Sequence, residues 1–146
     1  MKPALHQFFV IAMFFVLSNC EAAMQESPMK VKNDAIHQLQ TLAKKDNFAP
    51  NGALYTGVRD PSLRANLNSR FGLSITQFIT AVKRKATKSE YLALLASEIR
   101  KFKRAELETE DAEQVGTNFE HIMDCIGLDS SEGILNNWMY GFDPTK

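Results

Sequence analysis

A helix with a defined start is predicted by the stretch Thr87-Lys88-Ser89-Glu90-Tyr91-Leu92-Ala93-Leu94-Leu95-Ala96-Ser97-Glu98-Ile99. Thr87 and Glu90 have the spacing of a capping box, in which each side chain satisfies a free backbone amide of the first helical turn. The apolar residues that follow recur three or four positions apart, which places them on one face of an α-helix. They are Tyr91, Leu94, Leu95, Ile99 and Phe102. The stretch therefore predicts a capped helix that packs one apolar face against a core.

Similar patterns predict further helices on both sides of this stretch. The predicted segments are residues 28–46, capped by Ser27; 60–72, in which Leu63 and Leu67 stack one turn apart; 74–85; 109–127, capped by Thr109 and with a second capping pattern at Thr117; and a last helix from Ser130 or Ser131 to Gly141. No segment alternates apolar and polar residues over a sustained run, so no strand is predicted. Because each helix carries an apolar stripe, the helices are expected to share one core. The predicted fold class is all-α: a single compact bundle of five or six short helices in orthogonal packing.

The N-terminal residues have the layout of a secretory signal peptide. Lys2 precedes an uninterrupted apolar run over residues 8–17, which is too short for a membrane-spanning helix of about 20 residues. Small residues at Cys20 and Ala22 favour cleavage after Ala22, and the alternative is a lipoprotein-type cut before Cys20 that would place lipid on that cysteine. We expect the protein to be periplasmic or secreted, with an outer-membrane lipoprotein as the alternative. The expected parts are a signal peptide over residues 1–22, a short N-terminal leash over 23–29 and one helical domain over 30–144.

One pair of residues, a cysteine and a histidine, could react or bind a metal. Cys125 stays unpaired whichever cut is made, and His121 lies four residues before it, so a helix would place both side chains on one face. Three interpretations are open: a thiolate–imidazole nucleophile, two ligands of a soft metal, or a packed cysteine beside a partly exposed histidine. The third is favoured, because no further ligand or common catalytic motif accompanies the pair. We expect no catalytic residue, no metal site and no cofactor.

Two segments carry candidate interaction residues. Residues 51–60 form an irregular stretch with polar and aromatic groups, in which Tyr55 and Arg59 are the candidates. The C-terminal segment offers aromatic side chains of the kind that anchor protein interfaces, namely Trp138, Tyr140 and Phe142. A structural interpretation is favoured for both segments, with Tyr55 filling the core and Trp138 docking a terminal helix.

The favoured function is a non-catalytic protein–protein interaction module in the cell envelope, such as an inhibitor, an immunity-like factor or an accessory factor. One alternative is a carrier of a small ligand with a pocket between helices. A thiol enzyme that uses Cys125 and His121 is less favoured. We expect a protein partner, no nucleic acid, and contact with a membrane only through a lipid anchor at Cys20.

The net charge of zero conceals a strongly polarised chain. Residues 23–104 contain 15 basic and 6 acidic residues, whereas residues 105–146 contain 1 basic and 10 acidic residues. A simple polybasic nucleic-acid binder is excluded. Two explanations remain open: the acidic helices pack beside the basic ones, which is favoured, or a basic face stays open to an anionic partner. The carboxylates clustered between Glu106 and Glu113 are interpreted as a solvated helix start.

The C-terminal part resembles a little-studied family of small bacterial exported helical proteins of unknown function. The resemblance covers about residues 48–144. The matching residues are Phe119-Glu120-His121-Ile122-Met123-Asp124, Gly127, residues 130–133 and Asn136-Asn137-Trp138-Met139-Tyr140-Gly141-Phe142. The resemblance implies an all-helical domain and a Gram-negative type of export, and it implies no catalytic residue.

Overall fold

Helices account for the regular structure of the residues that the computed structural model describes, which are 26–52 and 54–141. The predicted signal peptide, the lipidation candidate Cys20 and the interaction candidate Phe142 lie outside these residues. The elements in chain order are α1 (Ala35–Ala43), α2 (Pro61–Lys83), α3 (Lys88–Ile99), a 3₁₀ helix (Arg104–Glu106), α4 (Thr109–Ile126) and α5 (Ile134–Tyr140). Over the described residues there is no strand, and the all-α helical bundle is confirmed.

The start of α3 is as predicted. The Thr87 hydroxyl accepts a hydrogen bond from the Glu90 amide at 3.2 Å, and the Glu90 carboxylate accepts one from the Thr87 amide at 2.7 Å. These bonds occupy amides that have no partner inside the helix. Tyr91, Leu95 and Ile99 are buried, so the predicted apolar face packs against the core.

The two helices predicted over residues 60–72 and 74–85 are wrong, because α2 runs unbroken from Pro61 to Lys83. Gly72 lies inside the helix, where a glycine costs only about 1 kcal/mol relative to alanine. Ser74 does not cap a helix: it is buried, and its hydroxyl donates to the Glu98 carboxylate of α3 at 2.9 Å. Buried Phe71 on one side of Gly72 and Ile75 on the other keep the helix on the core.

The predicted start of the first helix is also wrong. Instead of beginning at Pro28, α1 begins at Ala35. The preceding residues lie extended along the turn between α2 and α3: Pro28 forms an isolated antiparallel bridge with Thr87, and the Met29 amide donates to the Ala86 carbonyl at 2.9 Å. Ser27 therefore caps no helix, because its neighbours pair with another segment.

The last two helices differ from the prediction at their N-terminal ends. The N-cap of α4 is Glu108 rather than Thr109, and the helix passes Thr117 without a second start. The final helix begins at Ile134, because Glu132 and Gly133 both have positive φ and form a turn after Ser131. Its predicted end is correct: Gly141 follows α5 in the left-handed conformation that glycine adopts without steric cost.

The core is organised around four phenylalanines. Phe71 of α2 meets Phe48 at 6.4 Å and Phe119 of α4 at 5.8 Å between ring centroids, and Phe119 meets Phe102 at 5.6 Å, all edge to face. Such pairs contribute about 0.5–1.5 kcal/mol beyond the burial of their area. This cluster ties α2 and α4 to the segments before α2 and after α3. None of the described helices has the length and apolarity that crossing a membrane requires.

Candidate interaction groove

The loop before α2 is fixed by backbone contacts, which set where its side chains lie. The Val58 amide donates to the Phe48 carbonyl at 3.1 Å, and the Asn51 amide donates to the Tyr55 carbonyl at 3.1 Å. Gly57 has φ of 77°, and a Cβ at this position would lie 2.6 Å from the Pro50 ring. A larger residue would therefore clash with Pro50, so glycine is required for this path of the chain.

The two loop candidates have different positions. Tyr55 is buried, and its hydroxyl donates to the Asp111 carboxylate of α4 at 2.7 Å. Burial raises the pKa of the Tyr55 phenol, and the hydrogen bond to Asp111 raises it further. Tyr55 thus holds the loop against α4. Arg59 is exposed and lines a surface cleft.

That cleft has a volume of about 570 Å³ and is open to solvent. It lies between the loop, the first turn of α2 and the segment that leads into α4. Its lining residues are Thr56, Gly57, Val58, Arg59, Asp60, Leu63, Glu106, Glu108, Thr109, Glu110 and Asp111. Five of these residues are carboxylates and one is a cation, so the cleft is strongly negative.

A second cleft, of about 340 Å³, adjoins the first. Leu63 and Glu106 line both clefts, so the two meet at these residues. The other residues of the second cleft are Ser62, Asn66, Leu67, Arg70, Phe102, Lys103 and Leu107. We call the joined clefts the α2 groove, because the N-terminal half of α2 forms one wall along both of them.

Three carboxylates of the α2 groove have partners within the fold. Asp60 accepts hydrogen bonds from the Ser62 and Leu63 amides at the start of α2, at 2.7 and 3.2 Å. Asp111 accepts from Tyr55, and Glu106 pairs with Lys103 at 2.8 Å.

The remaining two carboxylates are those of Glu108 and Glu110. Both residues are exposed, and neither side chain forms a hydrogen bond or ion pair with any residue that the structure describes. They lie at the N-terminal end of α4, where the helix dipole favours negative charge. Their own charge is therefore left for solvent or a partner.

The C-terminal candidates do not line the groove. The Trp138 indole donates to the Phe102 carbonyl at 2.9 Å, and its ring packs against the core. This is the docking role that the sequence favoured. Tyr140 is 58% exposed on α5. The structure therefore places Arg59 in the groove, Tyr55 and Trp138 within the packing, and Tyr140 on another surface.

The His121–Cys125 pair does not form an activated thiol. Cys125 is 9% exposed, and burial raises the pKa of its thiol, which is the opposite of what a nucleophile needs. His121 is exposed. Both residues line an open cleft of about 400 Å³ between α1 and α4, together with His37. Among the described residues, no group of three or more His, Cys, Asp or Glu side chains is arranged to hold a metal ion.

The polarised charge is only partly neutralised within the fold. Of the five ion pairs in residues 26–52 and 54–141, two join the basic and acidic parts of the chain: Lys88 with Glu132 at 2.6 Å and Lys103 with Glu106 at 2.8 Å. The other three join residues of the basic part. The favoured explanation, in which acidic helices pack beside basic ones, holds at those two contacts. Glu108 and Glu110 of the groove form no ion pair with a described residue.

The exposed leucines of this region were missed from the sequence. Leu63 was paired with Leu67 as an apolar stack, but Leu67 is buried and Leu63 is 36% exposed at the junction of the two clefts. Leu54, in the loop that leads to the groove wall, is 93% exposed. The one available signal was the run of carboxylates over residues 106–113, which by itself is typical of a solvated helix start.

The structure thus defines an all-α domain with an acidic groove beside its longest helix. Residues 30–143 match the family DUF4844, described as a domain of unknown function, and the chain belongs to that family. The crystal structure of a DUF3571 family protein from Acinetobacter baumannii AYE is similar, with 45% sequence identity and a TM-score of 0.71, over 73% of this chain and 89% of that chain. No curated protein matches the chain significantly. The predicted membership in a family of unknown function is confirmed.

Proposed function

We propose that this protein is a non-catalytic protein–protein interaction module that acts in the cell envelope after export. The observation that carries the proposal is the α2 groove, which combines an exposed leucine with carboxylates that the fold leaves unpaired. A single exposed leucine on a protein surface is ordinary. Leu63 differs because it lies where two clefts meet, so that a bound segment would cover it on both sides.

The groove has the parts that protein interfaces use. Binding free energy at an interface is concentrated in a few side chains that become fully covered, while charged residues around them steer association. Leu63 can serve as the covered side chain, and Glu108 and Glu110 supply the charge at one end. Asp60 and Tyr55 hold the two walls through contacts within the fold, which keeps the groove preformed.

The thiol-enzyme alternative has less support. A thiol with a raised pKa is mostly protonated at neutral pH, so Cys125 reacts slowly as a nucleophile. We expect alkylation of Cys125 to be slower in the folded protein than in the unfolded chain at neutral pH. Fast labelling of the folded protein would return the enzyme to consideration. The small-ligand alternative has a location in the open cleft between α1 and α4, and a rise in melting temperature with a ligand, lost on filling that cleft, would favour it.

Site-specific photocrosslinking in cells tests the interaction role. A photoreactive amino acid at Ser62, which lines the groove, is introduced into the full chain, alone or with Leu63→Gln. We expect a discrete crosslinked product of a partner protein that disappears with Leu63→Gln.

The matched control is Leu73→Gln, because Leu73 is 65% exposed on the same helix and lines neither cleft of the groove. This variant should retain the crosslink. A product that is unaffected by both variants, or no product at all, would remove the groove as the interaction site.

The envelope location has its own measurement. Mass spectrometry of the protein isolated from cell fractions should show an N-terminus at Ala23, or a lipid-modified Cys20 in the membrane fraction. An intact Met1 on protein that remains in the cytoplasm would contradict the proposed export.

A further inference from the structure

We infer that the acidic end of the α2 groove binds a basic, extended segment of a partner protein, with Lys or Arg side chains beside Glu108 and Glu110 and an apolar side chain on Leu63. The inference rests on the proposed interaction function and specifies the chemistry of the partner.

The first step is the charge around the cleft. Five carboxylates and one cation, Arg59, line about 570 Å³ of open space. A cleft lined mostly by one sign of charge focuses its electrostatic potential and raises the local concentration of oppositely charged groups. Among the described residues, one ion pair involves these carboxylates: Glu106 pairs with Lys103, which lines the adjoining cleft together with Arg70.

The second step is that two of the carboxylates form no hydrogen bond or ion pair with a residue that the structure describes. Glu108 is the N-cap of α4 but makes no side-chain capping bond, and Glu110 lies in the first turn of the same helix. Placing like charges close together costs free energy, which a cationic partner recovers. Asp60 and Asp111, by contrast, already accept hydrogen bonds within the fold.

The third step is the apolar group between the charges. Lys and Arg side chains carry apolar stems that pack on apolar surface while their charged ends stay near solvent. Leu63 supplies such a surface next to the carboxylates, and the groove continues past it towards Phe102. An extended segment places alternate side chains on one face, so it can present a cation and an apolar residue to the groove.

Other occupants fit less well. The phosphates of a nucleic acid or a lipid headgroup would be repelled by the carboxylates. A second copy of this chain is also a source of basic side chains, since residues 23–104 hold 15 of them, and it is distinguished by the experiment.

The experiment measures binding of a fluorescent peptide to the full chain. The peptide places lysine and leucine in turn at every second position, with serine between them, so that one face of the extended peptide carries both. A peptide with glutamate in place of lysine is the comparison. The chain carries Cys20→Ser, so that no lipid is attached, and is purified after processing by the expression host. We expect the lysine peptide alone to bind, more weakly as salt is raised. The double variant Glu108→Gln with Glu110→Gln should weaken binding about fivefold.

The matched control is Glu113→Gln with Glu120→Gln, which removes the same charge from exposed positions of α4 outside the groove. It should change the affinity less than the groove variant does. Equal losses in both variants would show that overall charge, rather than the groove, attracts the peptide, and would overturn the inference.

Three further outcomes would also overturn it. They are equal binding of the glutamate peptide, no binding of the lysine peptide, and self-association in the analytical ultracentrifuge that the groove variant abolishes, which would assign the groove to a second copy. If the crosslink that depends on Leu63 persists while the lysine peptide fails to bind, the interaction function stands and the basic partner is wrong. The absence of any crosslinked product that depends on Leu63 would instead contradict the proposed function.

Discussion

The two halves of α2 have the same secondary structure and opposite surroundings. Over residues 61–70, the buried residue is Leu67, whereas residues 71–83 bury Phe71, Ser74, Ile75, Phe78 and Ala81. The second half contacts the core and α3. The first half reaches the core through Leu67, bonds to Asp46 through Arg64 and Asn68, and forms a wall of the groove. A helix anchored along one half can extend its other half as a rigid edge, because each added residue continues a hydrogen-bonded ladder that is already nucleated.

The largest loss of stability is expected from a cavity in the second half of α2. Phe78 is fully buried and stacks on Tyr91 of α3, with ring centroids 6.5 Å apart. Phe78→Ala should lower the free energy of unfolding by about 3–5 kcal/mol, because the packing contacts are lost and the cavity collapses only in part. Chemical denaturation measures the change. A loss below about 1 kcal/mol would mean that this half is not anchored as the structure shows.

A smaller loss is expected from the polar contact that joins α2 to α3. Glu98 is buried, accepts a hydrogen bond from Ser74 at 2.9 Å and pairs with Lys101 at 2.6 Å. Glu98→Ala should cost about 2 kcal/mol, because it leaves the Ser74 hydroxyl buried without this partner.

A double-mutant cycle with Ser74→Ala isolates that contact. The double variant should lose less free energy of unfolding than the two single variants lose together, because removing the second partner costs little once the first is gone. Strict additivity would show that Ser74 and Glu98 do not interact.

Local signals predicted the parts of the fold that depend on neighbouring residues. The capping box of α3 and the aspartate–proline start of α2 are both present in the structure. The break predicted near Gly72 is absent, because burial of Phe71 and Ile75 outweighs the weak helix propensity of glycine. Packing between distant segments decides such cases, and a single sequence does not display it.

The candidate site was predicted less completely than the fold. Arg59 was identified and lines the groove, but Tyr55 and Trp138 both donate hydrogen bonds within the fold. Aromatic residues with a polar atom suit buried positions that offer one acceptor as well as they suit interfaces. The groove joins Leu63 to Glu108 and Glu110, which lie about 45 positions further along the chain. No local sequence pattern therefore predicts it.

A smaller loss of stability is expected from a change at Asp60, the N-cap of α2. The Asp60 carboxylate accepts from the Ser62 and Leu63 amides, so Asp60→Ala should lower the free energy of unfolding by about 1 kcal/mol. Asp60→Asn should retain most of the stability that the cap contributes, because asparagine is also a good N-cap residue. Thermal and chemical unfolding of both variants measures the difference. Equal destabilisation by the two variants would indicate that charge, rather than the capping bond, is responsible.

The smallest effect on stability is expected at Leu63, which lies in the half of α2 that lines the groove. Leu63→Gln keeps a good helix former at an exposed position and should change the free energy of unfolding by less than about 0.5 kcal/mol. Leu73→Gln should do the same, since Leu73 is more exposed on the same helix. If both variants are equally stable and Leu63→Gln alone loses the crosslink, then Leu63 contributes to binding rather than to folding. A loss of about 2 kcal/mol would instead show that Leu63 packs in the core. The groove would then be part of the packing rather than a surface kept free for a partner.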